Sequence, residues 1–263
     1  VERFLKAHRG AARGLEEAKG KAAQDSQYID TSADVQLEPA PVSVMAGIAD
    51  LKVLYRNGSI CFPVTVSIQT ATGLHRGVHM SRLVRAASSR RSERIEDWLR
   101  WICREVNRTQ PGSEVICSFE LPYSDQFAGV RIRATERGAL TYQFVVDGMT
   151  ACPCSKKMIG IGHMQRARIT LVLRSSTPLD LAGTVAKVQE CFSAAPREEM
   201  KRVEEAKKIL EAQDNPRFAE DLVRECVRRF PSALFVSGRC FESIHAHDAI
   251  ATWSSRPGWV PVV

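Results

Sequence analysis

Between residues 60 and 69 the chain alternates strictly. Ile60, Phe62, Val64, Val66 and Ile68 are apolar, with Cys61, Pro63, Thr65, Ser67 and Gln69 between them. A period of two predicts a strand with one buried face, and Pro63, which has no amide donor, predicts an edge position for it. From Ser92 to Arg108 the period lengthens: Ile95, Trp98, Leu99, Ile102 and Val106 share one stripe, which predicts a helix. Strands are predicted again over 115–121, 130–134 and, after a turn at Arg137-Gly138, 140–146, then over 169–173. Beyond Asp180 the pattern is helical, with Leu181, Val185, Val188 and Phe192 on one side. Asn215-Pro216 predicts a further helix start, a capping side chain followed by proline, with Phe218, Leu222, Val223, Cys226 and Val227 as its stripe. A strand over 234–241 follows. Runs of strands with helices segregated between them predict an α+β protein, read as one unit used twice. The division expected is an extension over 1–34, rich in alanine, glycine and charge, then modules over 35–146 and 147–263.

Composition narrows the class. At 263 residues, 44% hydrophobic and 25% charged, the chain can bury a core, and a disordered or collagen-like protein is excluded. No apolar run approaches the roughly 20 residues of a membrane-spanning helix. The net charge of +7 is uneven: nine arginines face four acids between Arg76 and Arg108, while residues 1–34 balance at six and six. Such a block suits an anionic partner, although a solvated helix face is the commoner origin of this pattern. Eight cysteines without an apolar leader segment fit a reducing cytoplasm, where most serve as small buried side chains.

Two cysteines stand apart. In Cys152-Pro153-Cys154 one residue separates the thiols, so burial or thiolate chemistry suits them better than a mutual disulfide. Histidines gather in short segments: His75 and His79, His163, and His245 with His247. Sulfur, imidazole and carboxylate together are ligands for zinc or ferrous iron, and three protein ligands leave a position for a water acidified towards neutrality. Glu242 precedes His245 by three residues, and a carboxylate beside imidazoles suits general acid–base work. Spacing alone also allows a buried cysteine and ordinary surface histidines.

Taken together, five segments carry a resemblance. They are Gly77-Val78-His79-Met80-Ser81-Arg82, Thr150-Ala151-Cys152-Pro153-Cys154-Ser155 and Gly162-His163-Met164-Gln165-Arg166, then 214–221 around Asn215-Pro216-Arg217-Phe218, and 241–248 around Glu242 and His245-Ala246-His247. In this order the chain resembles the type IB GTP cyclohydrolases, over about residues 34–252. The resemblance implies a tunnelling fold with two tandem antiparallel-sheet-plus-helices modules, closed into an oligomeric barrel of two or four chains. It implies hydrolysis of GTP at guanine C8 with release of formate, opening folate or methanopterin synthesis, with no membrane or nucleic-acid partner. One divalent metal per site is implied, ferrous iron first and manganese or zinc as alternatives, on Cys152, His163 and Glu205. At Glu205 the family's usual Pro-Asp-Glu is replaced by Val203-Glu204-Glu205. Cys152, Cys154, Glu220, His245 and His247 match catalytic or substrate-handling positions. Either Glu220 or Glu242 would hold the guanine edge, and His79, Ser81, Arg82, Gln165 and Arg166 would contact the rest of the substrate, chiefly its phosphates. His163-Met164-Gln165-Arg166 departs from the bacterial His-Asn-Gln-Arg and leans towards the archaeal branch, whose product is a 2′,3′-cyclic phosphate rather than a triphosphate. Two other readings stand beside this one: a non-catalytic purine- or nucleic-acid-binding protein of the same fold, and a deazapurine nitrile reductase-like enzyme with a cysteine nucleophile.

Overall fold

Eight strands form one antiparallel sheet whose spatial order is the chain order, β1 to β8. The structure, a computed structural model, describes residues 34–57, 60–89, 94–135, 138–256 and 258. Apart from Asp34, the expected extension over 1–34 lies outside them, as does Arg137 of the expected turn. The first four strands are β1 (Met45–Asn57), β2 (Ile60–Ala71), β3 (Glu114–Tyr123) and β4 (Gln126–Thr135), with helices α1 (Met80–Ser89) and α2 (Ile95–Asn107) between β2 and β3. The second four are β5 (Leu140–Ala151), β6 (Met164–Ser175), β7 (Ala233–Cys240) and β8 (Ala249–Ser254). Helix α3 (Pro153–Ile159) joins β5 to β6, and α4 (Leu181–Gln189), α5 (Arg202–Asp214) and α6 (Ala219–Arg229) lie between β6 and β7. The α+β class is the one expected. Residue 146, the expected module boundary, falls inside β5.

Alternation explains the layering. Leu140, Tyr142, Phe144 and Val146 of β5 are buried, as are Val64, Val66 and Ile68 of β2, and the helices cover this face. The stripe on α2 is buried as its period predicts, with Trp98, Leu99 and Ile102 at 2% exposure or less. Each large apolar side chain buried in this way contributes about 1.5–3 kcal/mol. The opposite face carries ion pairs between neighbouring strands: Glu114 with Arg133, Asp147 with Arg168 at 2.6 Å, and Asp248 with Arg239 at 2.6 Å. Of the six cysteines expected in the core, five are buried, and Cys61 is exposed on β2. Among the described residues no helix is long and apolar enough to cross a membrane.

Two local expectations are corrected, and one strand that the pattern did not predict is found. β2 is not an edge strand: it pairs with β1 along its length and with β3 from Thr65↔Ser118 to Gln69↔Glu114. Pro63 lies beyond that second ladder, so the missing donor falls where β2 has one neighbour only. β1 escapes the period-two pattern because a bulge between Ile48 and Leu51, with Asp50 at φ 55°, reverses which side chains face inward. Asn215-Pro216 does not start a helix. Asn215 ends α5, its side-chain amide donating to Phe192 O at 3.1 Å, and α6 starts at Ala219 with the Asp221 carboxylate accepting from Phe218 N–H at 3.0 Å.

Candidate active site

The chemistry-bearing residues of the second half converge where β5 ends, β6 begins and β7 runs out. Cys152 follows β5 and precedes α3, which starts on Pro153 and stops at Gly160 in the left-handed region, φ 81°. This short helix returns the chain so that Cys152 N–H donates to His163 O at 2.9 Å. Ser155, one turn after Cys152, accepts from His163 N–H at 3.1 Å. Gly162 packs on Cys152 so closely that a Cβ there would lie 2.6 Å from Cys152 O. From α5, the buried Gln213 amide clamps Gly162 on both sides, donating to its carbonyl at 2.7 Å and accepting from its N–H at 2.8 Å.

The His163 ring is held by the segment after β7. Its Nδ1 lies 3.3 Å from Ser243 Oγ and 3.9 Å from Glu242 Oε2. That carboxylate oxygen is buried and, among the described residues, has no hydrogen-bond partner, a cost of about 1–3 kcal/mol that a bound donor would remove. His245 meets His163 edge to face at 6.4 Å between ring centroids, and His247 stacks on His245 at 5.3 Å. The two imidazoles lie in the bend between β7 and β8, and stacking rather than strand alternation puts them on one side. Cys240, at the end of β7, receives the Thr150 hydroxyl at 3.7 Å. Burial pushes its thiol up, the Thr150 bond opposes this, and the negative charges of Glu242, Glu220 and Asp248 add to the rise.

Other expected residues lie apart. Cys154 is exposed on α3, and Glu205 is exposed in the first turn of α5. Gln165 is buried on β6 with an unpartnered Oε1, and Arg166 reaches Asp147 at 3.6 Å on the open sheet face. His79 precedes α1, its N–H donating to Gln110 Oε1 at 2.7 Å and its Nε2 standing 3.6 Å from Asp34; Ser81 and Arg82 are exposed on α1. In the sheet β2 and β6 are four strands apart, and among the described residues no hydrogen bond, ion pair or ring contact joins this trio to His163. Ser155, Ser243 and Gln213 were not singled out by sequence. Ser155 has a readable signal, its i+3 spacing from Cys152, and Gln213 has none.

As a metal site, the donors suit a divalent ion in type: a cysteine sulfur and an imidazole tied by a backbone bond, beside a carboxylate oxygen without a donor. Among the described residues, no three His, Cys, Asp or Glu side chains are gathered closely enough to hold one. Glu205, the expected third ligand, is not drawn in with Cys152 and His163.

Comparisons place this cluster within a matched region. A family model described as type I GTP cyclohydrolase FolE2 matches residues 57–251. The chain is 30% identical over 196 residues to GTP cyclohydrolase FolE2 of Geobacter metallireducens, covering 67% of this chain and 75% of that one. It is 28% identical over 229 residues to GTP cyclohydrolase MptA of Picrophilus torridus, covering 76% and 84%. Among solved structures, uricase from Arthrobacter globiformis aligns with a TM-score of 0.46 at 9% identity, over 85% of this chain and 97% of that one.

Proposed function

This chain belongs to the type I GTP cyclohydrolase FolE2 family, and from that premise we propose that it hydrolyses GTP at guanine C8, releasing formate and a 7,8-dihydroneopterin phosphate. It is an enzyme of the type IB class. The observation that carries the reading is the convergence of His163, Glu242, Ser243, His245 and His247 inside the matched region.

The residues divide the work as follows. Glu220 or Glu242 accepts from guanine N1–H and the 2-amino group, a paired contact that fixes the ring. The unmet acceptor on Glu242 supports that residue, and the exposed position of Glu220 at the start of α6 supports the other. His245 and His247 carry protons to the purine nitrogens as the ring opens. Ser243 holds the His163 ring, and Ser155 holds its backbone. A divalent metal, ferrous iron first and manganese or zinc otherwise, would be held by Cys152 and His163 and would supply Lewis acidity for the hydrolysis. Cys154, exposed on α3 two residues after Cys152, is a second thiol for handling the substrate. On β6, Arg166 stands on the open sheet face as the residue for the phosphates, and the buried Gln165 lies on the opposite face.

We propose further that the site is completed by a second copy of the chain. His79, Ser81 and Arg82 make no contact with His163 among the described residues, and Met158, Ile159, Ile161 and Ile244 beside the cluster are each 65% or more exposed. Apolar exposure of that kind suits a subunit interface, and among the described residues β1 and β8 are the edges of the sheet, through which barrels would close.

The test is anaerobic incubation of metal-loaded protein with GTP, following pterin fluorescence and formate. Turnover is expected. Its absence with iron, manganese and zinc alike overturns the reading, and mass spectrometry of the product separates triphosphate from cyclic phosphate.

A further inference from the structure

Helices α2 and α6 begin alike. Ile95-Glu96-Asp97-Trp98-Leu99 opens one and Ala219-Glu220-Asp221-Leu222-Val223 the other, and each helix leads into the strand after it, β3 or β7. The buried positions keep step: Ile95, Trp98, Leu99 and Ile102 against Ala219, Leu222, Val223 and Cys226. Glu96 thus occupies in the first half the helical position that Glu220 occupies in the second.

Glu96 has surroundings that a plain helix-start carboxylate does not need. It is 3% exposed, and among the described residues the one hydrogen bond to it comes from the Tyr142 hydroxyl, to Oε1 at 3.3 Å. It lines a cleft of about 220 Å³ whose walls include Tyr55, Phe62, Phe119, Leu121 and Arg94. The rings of Tyr55 and Phe62, and of Phe62 and Phe119, stand 5.5 Å apart. The cleft exists because the β2–β3 ladder ends at Thr65↔Ser118, after which the strands part. On the other side of that gap, Phe62, Phe119 and Leu121 also border a larger cavity of about 970 Å³. Behind Tyr55, at 5.6 Å between rings, the buried indole Nε1 of Trp98 has no hydrogen-bond partner among the described residues. Burial, and after it the charge of Glu96, pushes the Tyr55 hydroxyl up to about 12, so this carboxylate is felt across the cleft.

A buried carboxylate with one long hydrogen bond and aromatic walls matches a flat ring that offers donors from its edge. We propose that the cleft over Glu96 is a second ligand site, taking a planar heterocycle with adjacent N–H donors of the aminopyrimidinone type present in guanine and pterins. The choice of that heterocycle class rests on the proposed function; the site itself rests on the cleft and its carboxylate. The cleft is smaller than the roughly 300–1,000 Å³ of drug-sized pockets, so it admits the ring and leaves ribose and phosphates outside, towards the larger cavity.

Equilibrium dialysis of the full-length, metal-loaded protein against pterin (2-amino-4-oxopteridine) reads the number of sites. Two equivalents per chain are expected in the wild type and one in Glu96→Gln, with affinity at the lost site weakened about tenfold or more and GTP turnover retained. Phe62→Trp, which fills the cleft from a half-buried wall and keeps the carboxylate, is expected to lose the same equivalent and decides the matter if Glu96→Gln folds poorly. One equivalent in the wild type, or two in both variants, overturns the proposal. GTP turnover with a single pterin site sinks this inference alone. Two sites without turnover sink the proposed function and leave this one standing.

Discussion

The two halves of the chain place the same helical signal at different depths. Glu220 starts α6 exposed, whereas Glu96 starts α2 beneath Tyr142. The difference originates in the strands. In the second half the β6–β7 ladder runs from Ala167↔Cys240 to Leu173↔Ala233 and leaves no gap to sink into. In the first half the shorter β2–β3 ladder opens a cleft lined by aromatic rings. Thiols, imidazoles and an unmet carboxylate collect in the second half, and aromatic packing dominates the first. One helix-start pattern therefore serves as a presented acid or a buried one, according to how far the neighbouring strands stay paired.

The sharpest break of that comparison is chemical. Cys152→Ala or His163→Ala is expected to lose bound metal and to lower turnover by about 10²–10⁴-fold, measured by elemental analysis and formate release, while Glu96→Gln keeps its rate. Stoichiometric metal in either alanine variant would remove that residue from the ligand set. Next in size is Gln213→Leu, which strands the N–H and C=O of Gly162 in a buried setting. Roughly 2–4 kcal/mol of destabilisation in urea is expected from two such groups, together with weaker metal retention. Unchanged metal affinity would reduce the clamp to scaffolding. Glu220→Gln and Glu242→Gln then separate the two carboxylates. The one that holds guanine should raise KM about tenfold with a smaller effect on kcat, and equal kinetics would show that neither does so alone.

The smallest effect is electrostatic. Glu225 on α6 accepts from Arg228 at 2.6 Å and from Arg229 at 2.7 Å, and Arg229 also reaches Glu190 just past α4. The Arg228 hydrogen bond chiefly, against some burial and with Arg229 assisting, lowers its carboxyl from 4.5 to about 2. Because the folded value lies below the unfolded one, the stabilisation is whole above about pH 4.5 and is lost as pH falls towards 2. Glu225→Gln should be less stable than wild type at pH 7, with the gap narrowing across that window in denaturant titrations. A constant gap would assign the cost to packing.

Much of this was legible in the sequence. Alternation located β2 and β3, three- and four-residue spacing located α2, and the short motifs named the residues that meet around His163. What escaped had identifiable causes. The Asp50 bulge hid β1 by shifting its phase, and Asn215-Pro216 looked like a helix start while serving to end α5. The Gln213 clamp couples positions 51 residues apart with no local trace. The depth of Glu96 depends on where a ladder stops, which no periodicity records.

The sheet's order has a consequence for how the molecule is made. Every strand pairs with its sequence neighbours, so the first half can zip up while the second is still being synthesised. The contact between His163 and Ser243 spans 80 residues. At about 5–20 residues per second, the chain waits roughly 4–16 s between making the imidazole and making the residues that hold it. A chain halted in α4 or α5 would therefore carry His163 with no Ser243 to hold its ring.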